Sequence, residues 1–480
     1  MKTRHLTTLP FLTACFLMTQ GCLFGTEDEP NPPHEENAHT SANNTTTANN
    51  TTAGNNATTG NNANNTVTNN ATSGNNTTSG NNTVANNTSN NTTTEDPIAH
   101  LANVRPQLPA NVLDYSHELP QHFLAQGVVA SDNTPDGNRV SDAGATLGRV
   151  LFYDKRLSQN GTIACASCHL GGDGFSDPDQ FSEGFDGEVT GRNSMPLINI
   201  AYYRNGTMFW DQRADTLEDQ VLMPIQDSVE MGLTLDELVE RVAAADYYAP
   251  LFEDAFGDGE VSSDRISRAL AQFVRSIVSY RSRWDEGIAA ANGDITADFE
   301  NYTAQENLGK EIFFGLDNPD SRGRCAACHM PNNPLAPEPP NGGPPRDNLA
   351  LFQLARPTDN GLPDDTDDGI GGVTGQQNQI GAFKSPTLRN IAQTGPYMHD
   401  GSLQTLGDVV DFYNMGIQDT PNLDPVLRAG GPGGPGGPGG GAAIQMNLSR
   451  EQRDALVAFL ETLTDETIAA DERFSSPFPE

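Results

Sequence analysis

Cys165-Ala166-Ser167-Cys168-His169 and Cys325-Ala326-Ala327-Cys328-His329 are two copies of one short pattern in a chain of 480 residues that holds only six cysteines. The spacing Cys-x-x-Cys-His suits covalent haem attachment, in which two thiols add to the vinyl groups and the adjacent imidazole reaches the iron. Zinc or a simple dithiol has no need of a histidine directly after each second cysteine. Cys165, Cys168 and His169 are therefore read as holding one haem c, and Cys325, Cys328 and His329 a second. His169 and His329 are the expected proximal iron ligands.

The context of the two motifs is itself repeated. Leu147-Gly148-Arg149-Val150-Leu151-Phe152 precedes the first, and Leu308-Gly309-Lys310-Glu311-Ile312-Phe313 precedes the second at nearly the same distance. Downstream, Ser194-x-x-Leu197-x-Asn199-Ile200-Ala201 matches Ser385-x-x-Leu388-x-Asn390-Ile391-Ala392. Trp210-Asp211 then matches His399-Asp400, and Thr216-Leu217 matches Thr405-Leu406. Apolar spacing near 3.6 predicts helices over Leu217–Asp227, Leu235–Ala245, Ser262–Tyr280, Ala304–Phe314, Leu406–Asn414 and Ser449–Leu463. No convincing alternating strand is present. The expected fold is mainly α, with two tandem cytochrome c-like haem domains, 98–300 and 301–480. The Pro-, Gly- and Asp-rich stretch Glu338–Gly375 reads as a long loop, and Gly430–Gly441 as a loop insertion too short for a collagen helix. Asp364, Asp365, Asp367 and Asp368 read as a solvated loop rather than a calcium loop, because no closing Glu follows at the required spacing.

Residues 1–22 read as an export signal, with Lys2 and Arg4 before a mostly apolar stretch. Gly21-Cys22 fits a lipoprotein cleavage site, so Cys22 is the expected lipidated residue, with Cys15 as the rival. Residues 23–97 are expected to be a disordered tether, since their Asn, Thr, Ala, Gly and Ser offer no apolar face to bury. Such a coil spans on the order of 40 Å. The predicted location is the periplasm, with the lipid in the outer membrane. The formal charge is −36, and only seven of the 63 acids fall before residue 98. That sign excludes nucleic acid as a direct partner and favours a redox partner with a basic face.

Residues 98–480 contain six histidines, two of them proximal ligands, so few candidates remain for the distal side of either iron. In the repeat, Tyr413 corresponds to Pro224, which has no ligating side-chain atom. If this position is distal, the first iron is open and Tyr413 caps the second; Met415 and Met398 are rival ligands, and Met446 a weaker one. Glu230, six residues beyond Pro224, is positioned to move a proton between peroxide oxygens, or else is a solvated charge.

These residues resemble the bacterial di-haem cytochrome c peroxidase family over about 98–480. The resemblance rests on both haem motifs, Gly191-Arg192-Asn193, Phe209-Trp210-Asp211-x-Arg213, Val229-Glu230-Met231 and Pro396-Tyr397-Met398-His399-Asp400-Gly401. It implies a peroxidase that reduces H2O2 with electrons from a small periplasmic cytochrome c or cupredoxin. It also implies that Glu230 is the catalytic acid/base, that Gln220 and Pro224 line the peroxide pocket, and that Trp210 relays electrons between haems. Asn193, with the carbonyls of Thr394 and Pro396, would bind one Ca2+, and a homodimer is possible. Two departures point to the MauG-like branch: Phe185 where many members carry a resting His ligand, and Tyr413 where they carry Met. The alternative implied is a di-haem oxidase that uses peroxide to modify Tyr or Trp of a partner protein.

Overall fold

A computed structural model of the chain describes residues 96–316, 325–335, 345–354, 356–429 and 441–479. The expected export signal with Cys15 and Cys22, nearly all of the expected tether, most of the 430–441 insertion and part of the 338–375 loop lie outside the described residues. What is described is mainly helical, with isolated β-bridges and no strand. None of its helices is long and apolar enough to cross a membrane.

Most predicted helices form, and their ends follow local chemistry. Ala304–Phe314 runs as expected, from a capping box at Thr303 and Glu306 to Gly315 in the left-handed region. Ser262 and Ser449 cap Ser263–Arg275 and Arg450–Glu461 with their side-chain oxygens. The expected Leu217–Asp227 helix is instead two single turns, Leu217–Gln220 and Met223–Gln226. Pro224 has no N–H to give the Gln220 carbonyl, so the ladder breaks there. The Ser262 helix stops at Arg275 rather than Tyr280, because Ser279 bonds Asn199 instead: its N–H donates to Asn199 Oδ1 at 2.7 Å. The Leu406 helix ends at Asp411 and widens into a π turn over Phe412–Gly416. Among its described residues the long loop carries one short helix, Ile370–Thr374.

Two helix pairs pack in the same way. Asp142–Tyr153 lies on Ser263–Arg275, and Ala304–Phe314 lies on Arg450–Glu461. A Cβ on Gly148 would stand 2.0 Å from the Ala269 carbonyl oxygen, and one on Gly309 would stand 1.9 Å from that of Ala455. Each backbone contact thus requires glycine. The duplicated segments also share backbone: Asn199 and Asn390 have φ of 58° and 56°, and Phe209 and Met398 have 67° and 73°.

The two cores do not divide cleanly at residue 300. Trp284, Ile288, Ile295 and Phe299 pack with Phe313, Phe352 and Phe459 in the second core. Ile468 and Phe474, at the far end of the chain, pack into the first with Phe152, Phe175 and Phe273. This tail is held by hydrogen bonds. Arg149 Nε donates to the Ser475 carbonyl at 2.7 Å, and the Gln107 N–H donates to the Pro477 carbonyl at 2.6 Å. Arg473 reaches the carbonyls of Asp114 and Ser116. Beside Phe352 of the second core, fully buried Arg389 grips Asp285 with two bonds of 2.7 and 2.8 Å, while His122 Nε2 meets Asp285 at 2.7 Å.

Candidate functional site: two haem cavities and a shared wall

The first motif forms a single helical turn, Cys165–Cys168, on the wall of a cavity of about 500 Å³. His169 Nδ1 lies 3.0 Å from the Phe175 carbonyl, and Phe175 holds a left-handed φ of 57° to present it. This bond fixes Nδ1 as the protonated nitrogen and leaves Nε2 as a neutral metal donor. Burial pushes the His169 imidazole below its ordinary value, which favours that neutral form. With apolar walls from Phe152, Leu270 and Val274, the residues fit a covalently held haem.

The second motif, Cys325–His329, lines a cavity of about 200 Å³. Burial pushes His329 down to about 4, and its Nδ1 is buried without a hydrogen-bond partner among the described residues. Cys165, Cys168, Cys325 and Cys328 form no disulfide among the described residues. All four sulfurs are thus left for thioether bonds to haem.

Glu230, Gln220, Pro224 and Trp210 all line the first cavity with Cys165, Cys168 and His169. Burial pushes the Glu230 carboxyl up to about 7; the Asp227 charge adds to this and Arg213 opposes it. Phe185 sits beside this acid: its N–H donates to the Glu230 carbonyl at 3.0 Å. Its ring packs where a Gly232 side chain would stand.

In the second cavity, Tyr413 lies on the wall, and burial pushes its phenol up to about 12. Asn360 Nδ2 lies 3.5 Å from both the Tyr413 hydroxyl and Met398 Sδ. Met398 and Met446 share the wall, whereas Met415 is 62% exposed and outside it. The π turn separates the two neighbours, turning Tyr413 inward and Met415 out.

Trp210 belongs to the walls of both cavities. Its Nε1 donates to the Asn193 carbonyl at 2.7 Å, its own carbonyl accepts from the Lys384 N–H at 2.8 Å, and its ring meets His399 edge-on at 6.4 Å. The two positions paired by the repeat thus meet face to edge. Asn193, Thr394 and Pro396 also line the second cavity. Asn193 Nδ2 is turned to the carbonyls of Asp179 and Gln180, which leaves its Oδ1 as a hard oxygen donor suited to calcium.

Lys384 was not singled out by the sequence, and Arg213, Asp365 and Asp367 were assigned no role in the site. Lys384 is buried on the wall common to both cavities, is pushed down to about 7 by burial, and lies 4.4 Å from the Tyr203 ring. Arg213 covers Phe209 at 3.5 Å and lines the first cavity. Asp367 reaches that cavity from the other half through Arg192, and Asp365 lies 3.4 Å from His399 Nε2. The Asp-rich loop therefore places one carboxylate in an ion pair with Arg192 and a second beside the His399 ring. Its signal was the charge run, but nothing local named the partners.

Residues 142–292 match the model of a family described as di-haem cytochrome c peroxidase. The chain is 34% identical over 342 residues to the methylamine utilization protein MauG of Methylorubrum extorquens, covering 70% of this chain and 82% of that one. It is 31% identical over 356 residues to the cytochrome c551 peroxidase of Nitrosomonas europaea, covering 71% and 87%. Among solved structures, a MauG-like protein associated with microbial copper homeostasis is similar at a TM-score of 0.58 and 30% identity, covering 76% of this chain and 99% of that one.

Proposed function

Because the chain belongs to the di-haem cytochrome c peroxidase family, we propose that it is a di-haem c peroxidase that reduces H2O2 to water with electrons from a small redox protein. The observation that carries this reading is one cavity that brings Glu230, Gln220 and Pro224 together with the first haem motif and ends at Trp210. Haem supplies the iron that binds peroxide and accepts or releases electrons. Cys165, Cys168 and His169 would hold the first group; Cys325, Cys328, His329 and Tyr413 the second. Pro224 has no ligating side-chain atom and would leave the first site open to a small molecule. Glu230, with its carboxyl near 7, would take a proton from one peroxide oxygen and return it to the other, so that the O–O bond breaks with one water leaving; two electrons from the redox partner and two protons from solvent turn the remaining oxygen into the second water. Trp210 links the cavities and supports electron relay between them.

Glu230→Gln in the holoprotein tests this. Peroxide turnover should fall about 10²-fold or more with both haems retained; full activity would remove Glu230 from the chemistry.

Two observations favour a MauG-like oxidase as a second reading. Phe185 stands by Glu230 where a histidine lock would stand, and Tyr413 lines the second cavity. One equivalent of H2O2 added to the fully ferric protein separates the readings. Immediate loss of both ferric EPR signals favours the oxidase, and no reaction until one haem is reduced favours the conventional peroxidase.

The Asn193 carboxamide, with the Thr394 and Pro396 carbonyls, supports one Ca2+ between the two haem units. The repeated packing at Gly148 and Gly309 supports two tandem cytochrome c-like domains. The Lys2–Cys22 sequence supports export to the periplasm as an outer-membrane lipoprotein on a 23–97 tether. The acidic surface supports a basic cytochrome or cupredoxin as donor. A homodimer rests on the family resemblance and is measured by light scattering.

A further inference from the structure

Tyr247 and Tyr248 stand apart from the other tyrosines. Both hydroxyls donate to the same oxygen of Asp154, Oδ2, at 2.6 and 2.8 Å. Asp154 is 2% exposed, and its other oxygen is held by the backbone N–H and Nη1 of Arg156. Tyr115, Tyr153 and Tyr397 donate to carbonyls, which are poor proton acceptors. Among the described residues no other tyrosine hydroxyl is hydrogen-bonded to a carboxylate. A phenol gives up an electron readily only when its proton has somewhere to go, and here a buried base waits at hydrogen-bond distance.

The pair is also connected at both ends. Phe152 lines the first haem cavity, Tyr153 touches it at 5.3 Å between ring centres, and Asp154 follows in the chain. Two peptide units span at most about 7.6 Å between Cα atoms. On the outer side, Tyr247 lines a surface cavity of about 690 Å³ whose walls carry Arg105, Arg241, Glu237 and Glu240. Donors and acceptors of both signs suit a small neutral molecule with hydroxyl groups, and Tyr247 supplies an aromatic wall.

We propose that Tyr247 is a second oxidation site, at which small phenols or hydroquinones deliver electrons to the first haem by way of Asp154, Tyr153 and Phe152. The inference rests on the peroxidase reading. In the step, one electron leaves the Tyr247 phenol for the first haem after its reaction with peroxide, and the phenolic proton moves to Asp154 Oδ2. A phenol in the outer cavity then gives one electron to Tyr247, Asp154 returns the proton, and the phenol loses its own proton to solvent. The sum is H2O2 plus two phenols to two waters plus two phenoxyl radicals. Tyr248, ring to ring with Tyr247 at 4.6 Å, shares the same base.

The test uses the full-length holoprotein and Tyr247→Phe, matched for haem content and circular dichroism. With H2O2 and hydroquinone, the variant should turn over at least tenfold more slowly, while turnover with a reduced small cytochrome stays within twofold. In parallel, peroxide is added without reductant. The wild type should give a tyrosyl EPR signal that narrows with ring-deuterated tyrosine, and a nitroso trap should mark Tyr247 by mass spectrometry. Both should be lost in the variant. Unchanged hydroquinone oxidation, or a trap that marks other residues only, overturns the tyrosine site and leaves the peroxidase reading intact. A wild type inert to peroxide with every reductant overturns both.

Discussion

Arg192 holds Asp367 through two parallel hydrogen bonds, from Nε at 2.7 Å and Nη2 at 2.9 Å, and extends Nη1 to Asp211 at 2.6 Å. One guanidinium thus ties the Asp-rich loop of the second half to the residue beside Trp210. Burial alone would push Asp367 up, but the bonds from Arg192 outweigh it and hold the carboxyl below its ordinary value. A carboxyl depressed in the folded state contributes stability above its unfolded value and loses it as pH falls through the folded one. Arg192→Lys keeps the charge and breaks the fork. It should cost about 1 kcal/mol in urea denaturation at pH 7, with the difference from wild type shrinking below pH 4.

The Asp285 site is a harsher case. Its carboxylate is 4% exposed, is gripped by Arg389 at 0%, and meets His122. Burial opposes ionisation, but the Arg389 charge leads the effects that hold Asp285 far below the usual range. Asp285→Asn leaves a buried guanidinium short of its counter-charge and should cost about 3–5 kcal/mol. The urea midpoint at pH 7 reads this directly. The loss should fade only in strong acid, because the folded-state value is so low.

Glu230 sets a pH dependence of the opposite kind. Its carboxyl is raised to about 7, so the base form needed to accept a peroxide proton grows as pH rises through that value. The second-order rate with H2O2 should climb about tenfold per unit below the midpoint and flatten above it. Glu230→Gln should abolish the limb. A flat profile in the wild type from pH 5 to 8 would remove the carboxyl from the step.

Gly148→Ala and Gly309→Ala should be similarly damaging, since each new methyl meets a carbonyl oxygen at 2.0 or 1.9 Å. Overpacking of this kind costs about 1–3 kcal/mol. Thermal denaturation of the holoprotein would measure it. If the cost at Gly309 were near zero, the two helix pairs would not be equivalent in rigidity.

The sequence disclosed the parts of this molecule that chemistry repeats locally. Haem attachment needs a fixed five-residue spacing, and the duplicated flanks are legible as strings. Helices with one apolar face and a capping Ser or Thr were readable for the same reason. Asp142–Tyr153 was not, because it is buried nearly all round and so lacks a polar face to mark its period. The short Arg283–Ala290 helix carries too few turns to show one. The cavity partners were legible only as isolated residues. That Glu230 is half-buried, that Tyr413 turns inward while Met415 turns out, and that Asp367 crosses to Arg192 all depend on contacts distant in the chain.

The tail at Ile468–Phe478 carries a consequence for how such a molecule arises and fails. A gene duplication would at first yield two self-sufficient beads on a string, separable by a single cut. Here the last dozen residues return to plug the first bead, with Phe474 among Phe175 and Phe273. The chain's end has become a keystone for its beginning. A protein truncated at residue 300 would lack that stone, and a premature stop near residue 465 would spoil the haem unit made first, hundreds of residues upstream of the lesion.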